Sequence, residues 1–413
     1  MSEKKKIAVI GGGASGIVSG YLLSEKHDIT IYEKQPLLGG NVRTLNKNVL
    51  DTKLPNHLNI ENGVLGFSES YYPNFHKLLK HLNVPYHSYK PSISLFSAHR
   101  FYPARIKSYL NINSIYKFLT DNRYYSELLE LSKSQKNFEY QTAKTTTKGL
   151  TFDEFSFSQD LYSNYMQALF MLSFSTPFAL VRQLPQSLLN PYILSLPNSR
   201  WSFLEGGVYS YLETILRKSK MQIKCNAQSI KVERNTQGIS LKTNGEEYFY
   251  DAIIIATTPG SVKGLLIDMS DIENEIFKDW EDQSFKTIAH KDLSFYGAYK
   301  NIKKTPMDLF FQFHNSTIGY NTYQNTVYNL QTRDHYSFAH NLDEIITKES
   351  ILHRANHKVP KYSRNHDDKI KRLHKINGHK NTFYAGAYIG NGLHEGAVVS
   401  AMSISSKLGG IKL

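Results

Sequence analysis

Residues 7–34 of the chain are IAVIGGGASGIVSGYLLSEKHDITIYEK. The apolar run at residues 7–10 is typical of a buried parallel strand, and residues 14–24 carry small and apolar side chains at helical spacing. Between these two segments lie three glycines in the pattern G-x-G-x-x-G, namely Gly11, Gly13 and Gly16. This motif, placed between a strand and a helix, predicts a dinucleotide-binding site.

Each glycine of the motif is needed for a different physical reason. Gly11 permits a tight turn, Gly13 lets a pyrophosphate approach the backbone, and Gly16 lets the helix pack closely on the strand. At the start of the helix, the free N–H groups around Ala14 and Ser15 and the partial positive charge of the helix end favour a phosphate. A purely structural glycine turn is the alternative interpretation.

An acidic residue follows the second apolar segment. Residues 28–32 form a second predicted strand, which ends at Glu33, seventeen residues after Gly16. An acid at this point accepts hydrogen bonds from the ribose of a bound nucleotide, and Lys34 belongs to the same loop. Glycines, strands and acid together favour the dinucleotide site over the structural turn.

The continuation EKQPLLGGNVRT, residues 33–44, narrows the choice of dinucleotide. The pair Gly39-Gly40, followed by Asn41, resembles the FAD-binding start of the flavin amine oxidase and phytoene desaturase superfamily. Leu37 replaces an Arg that is usual in that motif, and Asn41 also stands where an Arg is common. The resemblance implies FAD as the cofactor.

Other segments extend this resemblance over most of the chain. Residues 59–85 are similar to a stretch in a bacterial group described as predicted FAD/NAD-binding amine-oxidase-like proteins, and residues 200–216 carry a second Gly-Gly pair. MQIKCNAQSIKVER, residues 221–234, resembles the superfamily strand that passes the adenine near Ser229. YDAIIIATTPGSV, residues 250–262, resembles a strand that ends in a cofactor-binding turn at Ala256 and Thr257.

The segment FYAGAYIGNGLHEGAVVSAMSIS, residues 383–405, resembles the terminal flavin motif of the superfamily. We expect a strand at residues 382–385 and a helix that begins near His394 and points its N–H groups at the flavin, where negative charge accumulates on reduction. The resemblance places five residues of this segment at the cofactor: Gly386, Ala387, Leu393, His394 and Ala397.

Two catalytic candidates follow from the resemblance. His394 is either a general base or a neutral hydrogen-bond donor to the flavin edge, and contact through its backbone alone stays open. Lys291 lies within His290-Lys291-Asp292, where the bacterial group has His-x-Asp after a strand, so Lys291 or His290 is a candidate for the substrate pocket. A structural hydrogen-bonding role is the alternative for both. Leu393 stands where amine oxidases typically have a tyrosine of an aromatic cage.

The composition restricts the possible partners. The 49 Lys and Arg against 36 Asp and Glu give a formal net charge of +13, and basic residues are concentrated at residues 353–380. We expect an anionic membrane surface, an anionic substrate or simply a basic solvated face. Nucleic acid is not expected, because no recognisable nucleic-acid-binding motif accompanies the charge. The sequence leaves the oligomeric state open.

Location and metal content are also predicted from composition. No apolar run of about eighteen residues and no signal-peptide pattern is present, so we expect a cytoplasmic protein with membrane association left open. Cys225 is the one cysteine, which rules out an internal disulfide, and covalent flavin attachment there is not expected. The histidines lack a compact ligand spacing, so no metal is expected.

The motif positions predict an α/β protein of two domains. A Rossmann-type, glutathione-reductase-like FAD domain is assembled from residues 1–85, 205–262 and 376–413. Residues 86–204 and 263–375 form a mixed α+β substrate domain with a helical insert, in which residues 141–149 are a candidate lid or a passive surface loop.

The implied activity is that of an FAD-dependent oxidoreductase that takes hydride from an amine or an activated C–H bond of a small or lipid-like substrate. Two alternatives stay open: a non-catalytic FAD-binding scaffold, and a flavin-dependent desaturase or reductase that acts on lipids. A reductase with two bound dinucleotides is disfavoured, because the sequence contains no second G-x-G-x-x-G.

Overall fold

A computed structural model describes the chain from residue 3 to residue 413, apart from residues 51, 91, 98–99, 103–132, 134–139, 141–148, 156–160, 196–198, 237, 299–305 and 314–316. The candidate lid at residues 141–149 lies outside the described residues except for Gly149. The described chain divides into two compact units. Unit 1 comprises Met1–His87, Ser202–Ser284 and His357–Leu413, and unit 2 comprises Ser88–Trp201 and Phe285–Asn356.

The regular elements are numbered in chain order. The strands are β1 (Lys6–Ile10), β2 (Asp28–Tyr32), β3 (Phe67–Ser68), β4 (Tyr86–Tyr89), β5 (Ile93–Ser97), β6 (Arg100–Tyr102), β7 (Trp201–Leu204), β8 (Gln222–Lys224), β9 (Lys231–Asn235), β10 (Gly238–Thr243), β11 (Glu246–Tyr250), β12 (Ala252–Ile255), β13 (Asp282–His290), β14 (Met307–Phe313), β15 (Thr317–Tyr323), β16 (Ser337–His340), β17 (Ile351–Pro360) and β18 (Thr382–Tyr384). The helices are α1 (Ala14–Leu23), α2 (Pro73–Leu82), α3 (Leu161–Phe174), α4 (Phe178–Val181), α5 (Gln186–Ser195), α6 (Tyr209–Lys218), α7 (Pro259–Leu265), α8 (Asp271–Phe277), α9 (Gln324–Val327), α10 (His366–Ile376) and α11 (His394–Leu408).

Unit 1 is built around a parallel sheet of five strands in the order β18-β12-β1-β2-β8. In the register of the sheet, Ile7 lies between Ile29 and Ala252. The four apolar residues that end β1 and the whole of β12 are buried, as expected for inner strands of a parallel sheet covered on both faces. The predicted β1–α1–β2 segment and the α/β fold class are therefore confirmed.

The C-terminal segment returns to this first βαβ segment. Helix α11 is followed by a turn in which the N–H of Ile411 donates to the carbonyl of Leu22 at 2.8 Å. The imidazole Nε2 of His27 donates to the carbonyl of Leu408 at 2.9 Å. These contacts hold the two ends of the chain together inside unit 1, as the predicted discontinuous domain requires.

Unit 1 extends further along the chain than the predicted flavin segments. The prediction ends the middle segment at 262 and begins the last at 376, whereas residues 263–284 and 357–375 lie in unit 1. The reason is packing that the sequence motifs do not reveal. In α8, the ring of Phe277 lies 5.1 Å from the ring of Tyr384 in β18, and Glu273 accepts a hydrogen bond from the Tyr384 hydroxyl at 2.6 Å.

A buried ionic cluster joins α8 to the small antiparallel sheet β11-β10-β9. Arg234 in β9 pairs with Glu273 at 2.6 Å and with Asp268 at 2.9 Å, and the side chain of Arg234 is only 2% exposed. Burial alone would raise the pKa of Glu273, but hydrogen bonds from Arg234, Tyr384 and the Ser270 backbone lower it to about 2. The Glu273 carboxylate is therefore ionised at neutral pH, and these hydrogen-bond donors stabilise its buried charge.

Unit 2 contains a mixed sheet in the order β17-β13-β16-β15-β14-β5-β6. The last residues of β17 and the first residues of β13 are assigned to unit 1. Strands β14 and β5 pair in parallel, whereas β14, β15 and β16 form an antiparallel run. The core of unit 2 includes a cluster of buried residues, Phe96, Phe295, Tyr296, Phe310, Ala339, Leu342 and Ile346.

Among the helices that the structure describes, none is both long enough and apolar enough to cross a membrane.

A first prediction concerns the buried ionic cluster. Replacing Arg234 with Met should lower the free energy of unfolding by about 3–5 kcal/mol, because Glu273 would stay buried without its partner. The exposed pair of Arg372 and Glu275, 2.7 Å apart, is the matched control, and Arg372→Met should cost less than about 1 kcal/mol. Urea unfolding measures both values. Equal losses for the two variants would contradict the buried pair's role.

A second prediction concerns Glu61, a fully buried carboxyl group that accepts the N–H of Val208 at 2.7 Å and the hydroxyl of Thr44 at 3.0 Å. Burial raises the pKa of Glu61 to about 8, although these hydrogen bonds oppose the shift. The unfolded chain has a Glu pKa of about 4.3, so between that pH and about 8 only the folded state holds this proton.

The contribution of Glu61 to stability should therefore fall as the pH rises through this window and level off above it. Glu61→Gln keeps an amide oxygen as acceptor and removes the titration, so it should flatten this part of the stability profile. Thermal unfolding at a series of pH values measures the effect. An unchanged slope in the variant would show that Glu61 is ionised in the folded protein.

Candidate functional site

The turn that follows β1 packs directly against the end of β12. Gly11 has a φ of 110°, and a Cβ atom there would lie 2.6 Å from the carbonyl oxygen of Ala256. A Cβ atom on Gly16 would collide with the carbonyl oxygen of Gly11. The N–H of Ala256 in turn donates to the carbonyl of Ile10 at 2.8 Å. These glycines therefore permit the close packing of strand, turn and helix that the sequence predicted.

Gly13 differs from its neighbours, because the fold leaves room for a Cβ atom there. Its φ is −84°, and a Cβ atom would have no described neighbour closer than the Cα of Gly40, at 3.6 Å. Gly13 is the N-cap of α1 and supplies no side-chain cap, so the helix start at Ala14 and Ser15 is left to other acceptors. A bare backbone beside open space is what a pyrophosphate needs.

The second glycine pair lies directly against the first motif. The N–H of Gly39 donates to the carbonyl of Gly12 at 2.8 Å, and Gly40, with a φ of 59°, would place a Cβ atom 2.9 Å from the Cα of Gly13. Asn48 holds this loop, because its amide donates to the carbonyls of Leu38 and Val42 at 2.8 Å. Asn41 is exposed and donates its amide to the Lys358 carbonyl at 3.1 Å.

Glu33 is oriented by the backbone around it. Its Oε2 accepts the N–H of Gly12 at 2.7 Å, and its Oε1 accepts the N–H of Gln35 at 2.8 Å. A carboxylate accepts about four hydrogen bonds, so it keeps capacity for a hydroxyl group of a ligand. Lys34 points its side chain to solvent, and its carbonyl accepts the amide of Gln228 at 2.8 Å.

The predicted strand at residues 221–234 is interrupted. It divides into β8 and β9, and Ser229 lies in the loop between them with a φ of 51°. Earlier in this loop, the N–H of Ala227 donates to the carbonyl of Glu33 at 2.9 Å. The loop thus runs beside the acidic residue, where the resemblance places an adenosine, although the strand itself has already ended.

The terminal motif forms a compact turn before α11. The N–H of Gly386 donates to the Ser400 hydroxyl at 3.0 Å, and the Ala387 carbonyl accepts the N–H of Gly392 at 3.0 Å. The Asn391 side chain accepts the N–H groups of Leu393 and Gly396, at 3.1 and 2.9 Å. Leu393 and, one turn further along, Ala397 are both buried.

Contacts with distant segments determine the protonation state of His394. Its Nε2 lies 2.7 Å from the hydroxyl of Tyr211, and its ring packs against Phe67 and Phe75 with centroid distances of 5.1 and 4.8 Å. Burial lowers the pKa of His394 to about 3, so the imidazole is neutral at physiological pH. A group with so low a pKa is a poor proton acceptor near neutral pH, which weakens the general-base interpretation.

Glu395 was quoted in the terminal motif, but sequence reasoning assigned it no role. Its carboxylate accepts the N–H groups of Asn74 and Phe75 and the amide of Asn74, at 2.7–2.9 Å. It therefore caps the start of α2, which has no side-chain cap of its own. No local signal reveals this contact, because its partners are more than 300 residues away in sequence.

Lys291, the second catalytic candidate, lies in unit 2 and is engaged in an ion pair. Its ammonium is 2.8 Å from Asp334 and lies over the ring of Tyr336. The hydrogen bond with Asp334 raises the pKa of Lys291, so the amine stays protonated at neutral pH. Its neighbour His290 is fully buried, with Nε2 donating to Asn321 at 2.9 Å. These contacts fit the structural alternative for both residues.

The comparisons with known proteins agree with this architecture. Residues 9–82 match the family described as NAD(P)-binding Rossmann-like domain. No curated protein sequence matches the chain. Among solved structures, the CLA-producing fatty acid isomerase from P. acnes has a TM-score of 0.68 at 14% identity, over 98% of this chain and 99% of that one.

Two amine-oxidising enzymes are equally similar in structure. Cyclohexylamine oxidase from Brevibacterium oxydans IH-35A has a TM-score of 0.68 at 12% identity, covering 98% of this chain and 100% of its own. A variant of putrescine oxidase has a TM-score of 0.68 at 10% identity, covering 98% and 99%. Residues 9–82 thus match an NAD(P)-binding Rossmann-like domain, and the chain shares its fold with putrescine oxidase and cyclohexylamine oxidase, in agreement with the fold predicted from the sequence motifs.

Proposed function

We propose that this protein is an FAD-dependent oxidoreductase that takes hydride from an amine or an activated C–H bond of a small or lipid-like substrate. The observation that carries the proposal is the open backbone of Gly13 at the uncapped start of α1, with the Gly39-Gly40 loop packed against it. This second glycine loop and the terminal motif favour FAD over a nicotinamide nucleotide.

The residues present fit an extended dinucleotide. The turn at Gly13 would hold the pyrophosphate, because a side chain is absent there and the helix end attracts negative charge. Glu33 would accept hydrogen bonds from a ribose, since its orientation is fixed by two backbone donors. The turn from Gly386 to Ala387 and the start of α11 would adjoin the flavin.

The bound flavin would supply the hydride acceptor. The chain's own contribution is to bind and orient the cofactor and to exclude water. The start of α11 places the positive end of a helix of fifteen residues at Leu393 and His394, where it favours an anionic or electron-rich ligand group. Neutral His394 adds no charge of its own there. The apolar side chain of Leu393 offers no hydrogen bond to a polar substrate.

A flavin-dependent desaturase or reductase that acts on lipids is the second candidate. It is supported by the fold shared with a fatty acid isomerase and by Leu393, an apolar residue where amine oxidases typically have a tyrosine. A polyene or acyl chain needs an apolar wall, whereas an amine is better oriented by an aromatic ring. A scaffold that binds FAD without turnover is the remaining alternative, and reduction of the flavin distinguishes it from an enzyme.

A third prediction tests the cofactor site. Gly13→Leu should abolish FAD retention, because the side chain would occupy the space of the pyrophosphate, while the fold should persist because a Cβ atom there meets only the Gly40 backbone, at an ordinary contact distance of 3.6 Å. Gly16→Ala is the contrasting control, which should destabilise the fold itself through its collision with Gly11. Absorbance of the purified proteins and of the cofactor released on denaturation measures retention, and thermal unfolding measures the fold. A Gly13→Leu variant with a full complement of FAD would contradict the site.

A fourth prediction tests turnover. Under anaerobic conditions, the flavin absorbance should bleach when the wild-type protein is mixed with its substrate, and a panel of amines, fatty acids and polyenes covers the two candidate classes. Bleaching by amines alone would favour the amine oxidase activity, and bleaching by acyl chains or polyenes would favour the lipid activity. Photoreduced flavin that reoxidises normally, combined with no bleaching by any class, would favour the scaffold.

A further inference from the structure

The surroundings of Tyr211 and His394 determine which of the two donates in the hydrogen bond between them. Tyr211 lies on α6 and is fully buried, and its hydroxyl is 2.7 Å from Nε2 of His394. A phenol can donate or accept, and so can one nitrogen of a neutral imidazole, depending on its tautomer. The environment of each partner decides which of them carries the shared proton.

The hydroxyl of Tyr211 makes no other hydrogen bond to the residues that the structure describes. If the imidazole donated, the phenol proton would be buried without an acceptor, at a cost of roughly 1–3 kcal/mol. If the phenol donates, its proton is satisfied and Nε2 is the acceptor. The second arrangement is therefore favoured.

His394 is also kept neutral, so it carries a single ring proton. It is the first residue of α11, where the positive end of the helix disfavours an imidazolium. The rings of Phe67, Phe75 and Tyr211 surround the imidazole, and this burial lowers its pKa to about 3. With Nε2 accepting from Tyr211, the single proton lies on Nδ1.

The Nδ1 atom of His394 is free to meet a ligand. It has no hydrogen-bond partner among the described residues, yet the residue is only half-buried. The Nδ1 atoms of His290 and His366 provide the contrast, because both are enclosed and have no hydrogen-bond partner in the described part of the chain. The imidazole Nδ1–H of His394 is thus available to a ligand at the start of α11, in the segment that the resemblance assigns to the cofactor.

We propose that Tyr211 is a positioning residue that holds His394 in its Nδ1–H tautomer, so that His394 donates a hydrogen bond to an oxygen acceptor of the bound cofactor and takes no proton in the reaction. The proposal rests on the proposed FAD site for the identity of the acceptor. The tautomer itself follows from the protein alone. Tyr211 acts through its hydrogen bond with His394.

The tautomer is measured by ¹⁵N NMR of protein labelled at histidine. The chain has 16 histidines, so the signal of His394 is assigned by its loss in His394→Asn. We expect a protonated Nδ1 and an unprotonated Nε2 in the wild type, and a mixture of tautomers in Tyr211→Phe. A protonated Nε2 in the wild type, or an unchanged tautomer in Tyr211→Phe, would overturn the role of Tyr211.

The donor role is tested by two substitutions at His394. The amide nitrogen of Asn reaches roughly the position of Nδ1, and that of Gln the position of Nε2, so only Asn preserves the proposed donor. We expect His394→Gln to weaken FAD binding about tenfold, and Tyr211→Phe to weaken it by a smaller factor, set by the fraction of the Nδ1–H tautomer that remains. Both should shift the flavin absorption bands, and His394→Asn should change binding and absorption much less. Tyr192→Phe removes a buried hydroxyl in unit 2, bonded to Ser173 at 2.7 Å, and controls for general loss of stability.

Equal weakening by His394→Asn and His394→Gln would overturn the donor role, whatever the NMR result. A protein that binds no FAD in any form would refute the proposed function instead, and the ¹⁵N spectrum would still accept or reject the tautomer. The two failures are therefore distinguishable.

Discussion

The close approach of two glycine segments is the contact on which the rest of unit 1 depends. Gly13 and Gly40 face each other with no side chain between them, and Gly11 and Gly16 allow the turn to fit against β12. Any larger residue at Gly16 would separate helix from strand, because its Cβ atom would meet a backbone oxygen. The same absence of side chains leaves the start of α1 open, so a constraint of packing also creates a place for a phosphate.

Long-range contacts assemble the site from distant parts of the chain. The parallel sheet places β18, β12 and β1 side by side, so the turns that follow all three strands lie at one edge, as the carboxyl ends of parallel strands must. Glu395 then ties the start of α11 to the start of α2, and the Arg234 cluster ties α8 into the same unit. The glycine turn, the acid and the terminal motif are thereby held by a common rigid frame.

The chemistry that this frame allows is one of binding and polarisation. The two titratable candidates are both unsuited to accept a proton at neutral pH, His394 because its pKa is too low and Lys291 because it is protonated and paired with Asp334. In the proposed function, the cofactor would supply the hydride acceptor, and the protein would contribute a helix end, a neutral N–H donor and an apolar residue at Leu393.

The sequence by itself determined the β1–α1–β2 segment, the positions of the two glycine motifs and the existence of a terminal helix at His394. The β1–α1–β2 segment is encoded by residues close together in the chain, through strand and helix patterns and the special freedom of glycine, whereas the second glycine pair and the terminal helix were expected from local motifs that resemble the superfamily. Tertiary structure alone decided the state of His394, the capping role of Glu395, the ion pair of Lys291 and the full extent of unit 1. Tyr211, Asn74, Asp334 and Tyr384 are the partners in these contacts, and all come from other segments, so no local pattern announces them. Charge state and hydrogen-bond direction depend on what burial places beside a side chain, which only the folded chain specifies.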